Sequence, residues 1–377
     1  MRRAYLDHAS TSPPRPEALE GFTAALREFS ADPGRVHTEG RAARVALEDA
    51  REAVAHLVGA RPREVVFTSG ATEAINAACF GAAQRSAGSF VSSDVEHSAV
   101  RDASARNGNV IGVRVDATGR IEVAAVEAAL DRAGEGAVAL VHCQWGNHEV
   151  GTLQPAAEVA ALCRARGVLV HVDAASAVGH VPVAFGDLGA DLLSFSGHKF
   201  GALGGIGALV VRRGLRLDPL IVGGEQERAR RGGLENVAAA MALAAVARAL
   251  TPDALATEAG ADRRRTRRLL DVALAVDGVV AYGAANDRLP HIVCLGVDGV
   301  EAEAVLLGLD QAGIAAHSGS ACSSETLEPS PVLEAMGVEA ERSLRLSTGW
   351  STTDADVDRF AEAIPGVVSR LRALGSS

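Results

Sequence analysis

Three short segments, each at the end of a β-like run, carry side chains suited to one kind of chemistry. In "LLSFSGHKFG" the turn after an apolar run holds Ser196, His198 and Lys199. A lysine there, among small residues and beside a histidine, has the access and local desolvation that imine chemistry needs. Most lysines merely solvate a surface, and Ser196 and His198 can equally serve the backbone of the turn. "VLVHVDAAS" ends on Asp173, a carboxylate that is costly to bury without a partner and otherwise reads as a helix cap in a strand-to-helix turn. "FTSGATEAIN" places Gly70, Ala71 and Thr72 where a helix begins, so free N–H groups and the positive dipole end suit a phosphate. Capping by Ser69 or Thr72 explains that segment equally well.

Successive strand ends are where open α/β sheets bind ligands. A phosphate cradle, an acid for a ring nitrogen and a lysine for an aldehyde are together the parts that pyridoxal 5'-phosphate requires. His97, in "VEHSAV", is either a helix-start residue or a group that stacks on the ring and relays protons.

Cys322 stands among small polar residues in "SGSACSSET", and is a nucleophile, a metal ligand or a turn residue. Cys79, Cys163, Cys143 and Cys294 lie in apolar helical or strand-like runs, where cysteine is usually an inert small hydrophobe. Five scattered cysteines, with no CxxC pair and no His/Cys cluster at zinc spacing, read as reduced thiols in a cytosol.

The elements that must position these groups are short β-rich runs alternating with helical patterns from residue 65 onward. Continuous apolar strands separated by helices predict a largely parallel sheet covered on both faces, an α/β fold. After about residue 250 a long polar-faced helix, "TPDALATEAGADRRRTRRLLDVALAV", precedes strand, helix, strand and helix elements that predict a smaller α+β domain. The expected division is an N-terminal arm over 1–15, a large domain over 16–255 and a small domain over 256–377 that carries Cys322. A net charge of -10 and 3% aromatic residues argue against nucleic-acid binding. "MRRAYLDHAS" lacks the apolar segment of a leader and no run of 18 apolar residues occurs, so a cytoplasmic protein without a membrane span is expected.

From "YLDHASTSP" through "FTSGATEAIN", "EHSAV", "VDAASAVGH", "SFSGHKFG", "GGEQERARRGG" and "SGSACSSETLEPS" to "SLRLSTG", the chain resembles the cysteine desulfurases of the NifS/IscS type. These are class V aminotransferase-like enzymes of fold type I. The resemblance implies a homodimer in which Lys199 holds the cofactor aldehyde, Asp173 partners the pyridine nitrogen, and Thr72 with Ala71, Ser196 and His198 hold the phosphate. It puts His97 over the ring, Arg345 on the substrate carboxylate, and Cys322 as the nucleophile that takes sulfur from L-cysteine, releasing L-alanine. The long loop after Cys322 resembles the subgroup that hands sulfur to acceptor proteins; iron–sulfur scaffolds, tRNA-thiolating enzymes, DNA phosphorothioation and sulfur metabolites are all compatible receivers.

Four places depart from the family pattern. His148 stands where an asparagine is usual near the cofactor's 3-hydroxyl and the substrate, and Ser176 where glutamine is usual beside the ring. Leu234 replaces a threonine that reaches a partner subunit's phosphate, and Asp32–Arg35 replaces Asn-Pro-Ser-Ser. Selenocysteine lyase or cysteine-conjugate C–S lyase chemistry shares the same fold, and a degenerate scaffold protein is the reading from another class.

Overall fold

The computed structural model describes residues 3–318 and 329–375. Its strands, in chain order, are β1 (Ala4–Tyr5), β2 (Val65–Thr68), β3 (Ser89–Ser93), β4 (Val110–Val113), β5 (Val138–Gln144), β6 (Val170–Asp173), β7 (Leu192–Ser196), β8 (Gly207–Val211), β9 (Val279–Tyr282), β10 (Ile292–Val297), β11 (Ile314–Ala315) and β12 (Ser343–Ser347). Seven of them form one sheet in the order β2-β8-β7-β6-β5-β3-β4. From β4 to β7 all neighbours run parallel, and β8 lies antiparallel to both β7 and β2.

Every residue of β5, β6 and β7 is buried, as expected of strands covered by helices on both faces. This is the α/β architecture expected from the sequence. One face packs against helices Thr38–Leu57 and Val237–Ala249, whose buried alanines allow close approach; the other packs against Ala71–Arg85 and Ser98–Asn107. Because the strands from β3 to β7 are parallel, their carboxyl ends share one edge. Register pairs Gln144 with Asp173, and Asp173 with Ser194, along it.

A second core surrounds the antiparallel sheet β12-β10-β9, covered by helices Ala302–Gln311 and Asp354–Gly375 and by the long helix Pro252–Leu274. The basic run of that long helix is a surface face: Arg265 and Arg268 pair with Asp354 and Asp358 of the last helix. The N-terminal strand β1 pairs in parallel with β11. The chain then crosses to the large sheet, where Ser12 N–H donates to the His198 carbonyl at 2.8 Å and Arg15 N–H to the Gly201 carbonyl at 2.8 Å. The two sheets and the arm thereby meet at the carboxyl edge. Among the described residues, no single helix is long and apolar enough to cross a membrane.

Candidate active site

At that edge opens a cavity of about 500 Å3, within the range of small-molecule sites. Ala71, Thr72, His97, His148, Asp173, Ser176, Ser196, His198 and Lys199 all line it. Residues from five separate segments of the chain therefore share one space.

The start of helix Ala71–Arg85 forms one end of the cavity. Its cap position is Gly70, and no side chain caps it, so Ser69 and Thr72 are not spent on that task. Ser69 N–H instead donates to Glu73 Oε2 at 2.8 Å, and Glu73 Oε1 pairs with Arg231 at 3.0 Å, which pins the loop from behind. The loop also lies close against β8: a Cβ on Gly207 would come within 2.7 Å of Gly70 Cα. An uncapped helix start with the hydroxyls of Thr72 and Ser196 nearby is a ready anion site.

Asp173 is the last residue of β6. Its Oδ1 accepts a hydrogen bond from Ala175 N–H at 2.9 Å, the turn role that the sequence also allowed. Burial pushes its pKa up, opposed by the Ala175 N–H and by the charges of His148 and Lys199. A carboxyl so placed gains most from a cationic N–H on the cavity side.

Lys199 sits in the tight turn Gly197–Phe200 that follows β7. Gly201 closes the turn with φ +91°, and a Cβ there would meet Arg15 Cγ at 2.6 Å. The ammonium donates to the carbonyls of Ala9 at 2.7 Å and Ser10 at 3.1 Å. The arm thus holds the lysine, with Thr11 completing the wall. Thr11 Oγ1 lies 3.1 Å from His198 Nδ1, and burial together with the Lys199 charge pushes His198 down to about 4.

His97 takes the helix-start role, one of its two expected readings. It caps helix Ser98–Asn107, its Nδ1 accepting from Ala99 N–H at 3.1 Å, and its ring meets that of His148 edge to face at 4.9 Å. Burial, then the charges of His148 and Lys199, push it down to about 3. A neutral ring that accepts at Nδ1 carries its proton on Nε2.

Arg345 stands on β12, beyond the cavity wall. Its guanidinium is buried and donates to the His148 carbonyl at 3.1 Å, Ser10 Oγ at 2.6 Å and Asp7 Oδ1 at 3.2 Å, while Nε has no partner. Cys322 lies outside the described residues. The other four cysteines are buried, and burial pushes the thiols of Cys79, Cys163 and Cys294 up to about 12 and Cys143 also well above its ordinary value. They remain protonated and unreactive.

Of the departures, His148 and Ser176 line the cavity itself. Leu234 is 64% exposed and lines an adjoining hollow that shares Ser69 and Gly205 with it. Asp32 and Arg35 pair with each other at 3.0 Å on the surface. The sequence reading missed Thr11 and Gln144, which also line the cavity and carry no local signature. It also passed over a plain signal: Lys199 is the only lysine in the chain.

The donor set fits pyridoxal 5'-phosphate. An uncapped helix start faces one end, a buried acid stands at a strand end, and the one primary amine on a side chain lies between the arm and that acid.

Residues 4–360 match the family described as Aminotransferase class-V. The chain is 40% identical to an IscS-like cysteine desulfurase of Mycobacterium tuberculosis, over 98% of this chain and 97% of that protein. It is 41% identical to a cysteine desulfurase of Cereibacter sphaeroides, over 99% and 98%. Among solved structures, a NifS-like protein superposes with a TM-score of 0.88 at 30% identity, covering 98% of this chain and all of that one. A structure titled SspA in complex with cysteine superposes with a TM-score of 0.80 at 26% identity, over 93% of this chain and all of that one. With the fold, the edge cavity and these full-length similarities in agreement, the chain belongs to the class-V aminotransferase family, in its NifS/IscS-like cysteine desulfurase branch.

Proposed function

We propose that the protein is a pyridoxal-phosphate-dependent cysteine desulfurase that converts L-cysteine to L-alanine and carries the sulfur on Cys322. The observation that carries this reading is the convergence of the chain's sole lysine, the buried Asp173 and an uncapped helix start on one cavity. The names of the full-length relatives support it.

Bound there, pyridoxal 5'-phosphate supplies an aldehyde for the substrate amine and a ring that takes up the electron pair left at Cα. The N–H groups of Ala71 and Thr72, with the Thr72 and Ser196 hydroxyls and His198, hold the phosphate. Asp173 holds a proton on the ring nitrogen. His97, neutral and protonated at Nε2, would be the residue set against the cofactor ring. Lys199, whose amine the Ala9 and Ser10 carbonyls keep at the cavity wall, would hold the cofactor aldehyde and move the Cα proton. Arg345 takes the substrate carboxylate through its planar fork, for which the unpartnered Nε is a spare donor. Cys322 then attacks the substrate sulfur: the new S–S bond forms as Cβ–S breaks, and the products are L-alanine and a persulfide on Cys322.

His148 and Ser176 take the ring-tuning places. A homodimer is supported by the apolar side chain of Leu234, which is exposed in the single chain in the hollow that adjoins the cavity's helix-start end. A sulfur-acceptor protein and a cytoplasmic site of action complete the reading.

Assaying the cofactor-loaded protein with L-cysteine, L-selenocysteine and a cysteine conjugate tests it. L-cysteine should give L-alanine, and Cys322→Ala should keep the cofactor absorbance but form no alanine. Pyruvate with ammonia would mark a C–S lyase, a preference for selenocysteine would mark a selenocysteine lyase, and absence of cofactor binding would leave a scaffold.

A further inference from the structure

Glu96 has no part in the roles above, yet it is 1% exposed and belongs to the same sheet edge as Asp173. It lies in the turn that follows β3. Its Oε1 accepts from Gln144 N–H at 2.9 Å and from Ser93 Oγ at 3.3 Å, and its Oε2 has no hydrogen-bond partner. Gln144 is the ladder partner of Asp173 across β5 and β6. Glu96 thus holds the N–H of the residue that pairs in register with Asp173, and the two buried carboxyls are close enough to repel.

The surroundings do not favour two anions. Asp173 faces Glu96 from β6, the Cys143 thiol lies near it on β5, and its own turn contributes Ser93 and the neutral His97. Burial first, and the Asp173 charge second, push Glu96 up to about 8, against the Gln144 N–H and the Ser93 hydroxyl. Burial raises Asp173 as well, but there the Ala175 N–H and the charges of His148 and Lys199 pull it back down. Two like charges in one low-dielectric site share a proton, and the better-solvated anion gives it up. The orphaned Oε2 is where that proton belongs, since an anionic oxygen without a donor is costly and a neutral O–H much less so.

We propose that Glu96 is a positioning residue for the ring-nitrogen site: it keeps the single proton of the buried carboxyl pair, so that Asp173 meets the cofactor ring as the anion. A charged Glu96 would drive the proton onto Asp173 and remove the acceptor that the ring nitrogen needs. The proposal rests on the reading of the cavity as a pyridoxal-phosphate site.

The test is infrared difference spectroscopy of the cofactor-loaded wild type against Glu96→Gln, with pyridoxal-phosphate titrations of both proteins. A protonated-carboxyl stretch that shifts in D2O should appear in the wild type at pH 7, fade as the pH passes about 8, and be missing from Glu96→Gln. The neutral glutamine should keep the pyridoxal-phosphate Kd within fivefold of wild type at pH 7. No protonated-carboxyl stretch at pH 7, or a Kd weakened more than fivefold by glutamine, overturns the proposal. The infrared result on the wild type stands even if the variant fails to fold. A wild type that binds no pyridoxal phosphate would sink the cofactor reading instead, and the infrared arm, repeated without cofactor, still reports where the proton lies.

Discussion

Lys199 Nζ donates to the carbonyl oxygen of Ala9 at 2.7 Å, joining residues 190 positions apart in the chain. The arm that supplies this carbonyl starts as β1, paired to β11 in a two-stranded sheet, bridges to Ser347 of β12 through Asp7, and passes Arg345 before it reaches the lysine. The lysine's position thus depends on both sheets through one short segment. Arg345 belongs to the same tie, since it holds Ser10 Oγ at 2.6 Å.

On the role proposed for Arg345, at the substrate carboxylate, Arg345→Lys should damage substrate binding more than cofactor binding. A single ammonium cannot reproduce the fork that reaches the His148 carbonyl, Ser10 and Asp7. Losing one charge-assisted hydrogen bond costs about 2 kcal/mol, so KM for L-cysteine should rise roughly thirtyfold while the bound-cofactor absorbance is kept. Steady-state kinetics on the cofactor-loaded variant check this.

Asp173→Asn keeps the shape of the strand end and removes its charge. The asparagine can still accept from Ala175 N–H, so the fold should survive. Pyridoxal-phosphate affinity should fall about tenfold or more, and alanine formation further, as the ring nitrogen loses its anionic partner. Fluorescence titration of the apo protein measures the first effect and a product assay the second.

The protein should lose stability steeply as the pH falls from about 6.5 towards 5. His8 and His97 are pushed down to about 3, His142 to about 3 and His180 to about 4, in each case first by burial. Between those values and the unfolded value the unfolded chain binds more protons, so stability rises with pH across this window. Each such histidine contributes a slope of roughly 1.4 kcal/mol per pH unit when fully titrating. Glu96 and Asp262, pushed up by burial to about 8 and about 6, oppose this, since they hold protons that the unfolded chain releases. His198 is also at about 4, and His171 and His291 lie well below their ordinary value, so the histidines outnumber Glu96, Asp262 and the raised Asp173, and calorimetric Tm values between pH 5 and 7 should show it.

Glu227→Ala should destabilise the chain by about 3–5 kcal/mol, because it strands the buried Arg51 guanidinium. Glu227 meets Arg51 at 2.6 Å and 2.8 Å and also accepts from Phe67 N–H at 3.0 Å. Replacing both partners, as Arg51→Met with Glu227→Leu, should recover most of the loss. Urea unfolding of the single and double variants provides the comparison.

Much of the site was legible because chemistry-bearing residues end apolar strands, and parallel strands bring their ends to one edge. Lys199, Asp173 and the 70–72 turn each follow such a run, and all three line the cavity. What was not legible arises from long-range contact. Thr11 reaches His198, and Glu96 reaches Gln144 N–H, only because the sheet order places β3 beside β5 and the arm beside the Lys199 turn. The 69–72 motif alone leaves capping and ligand binding open, and Gly70 at the cap position receives no side-chain hydrogen bond.

The central claim, that this cavity is a pyridoxal-phosphate site built on Lys199, has an unusually direct test because the chain has no other lysine. Pyridoxal phosphate is added, borohydride fixes any linkage, and peptide mass spectrometry locates the phosphopyridoxyl group. One group per chain on the peptide containing Lys199, and none there in Lys199→Ala, is the predicted result. An unmodified Lys199 in the folded wild type, with or without a label at the α-amine, would contradict the account.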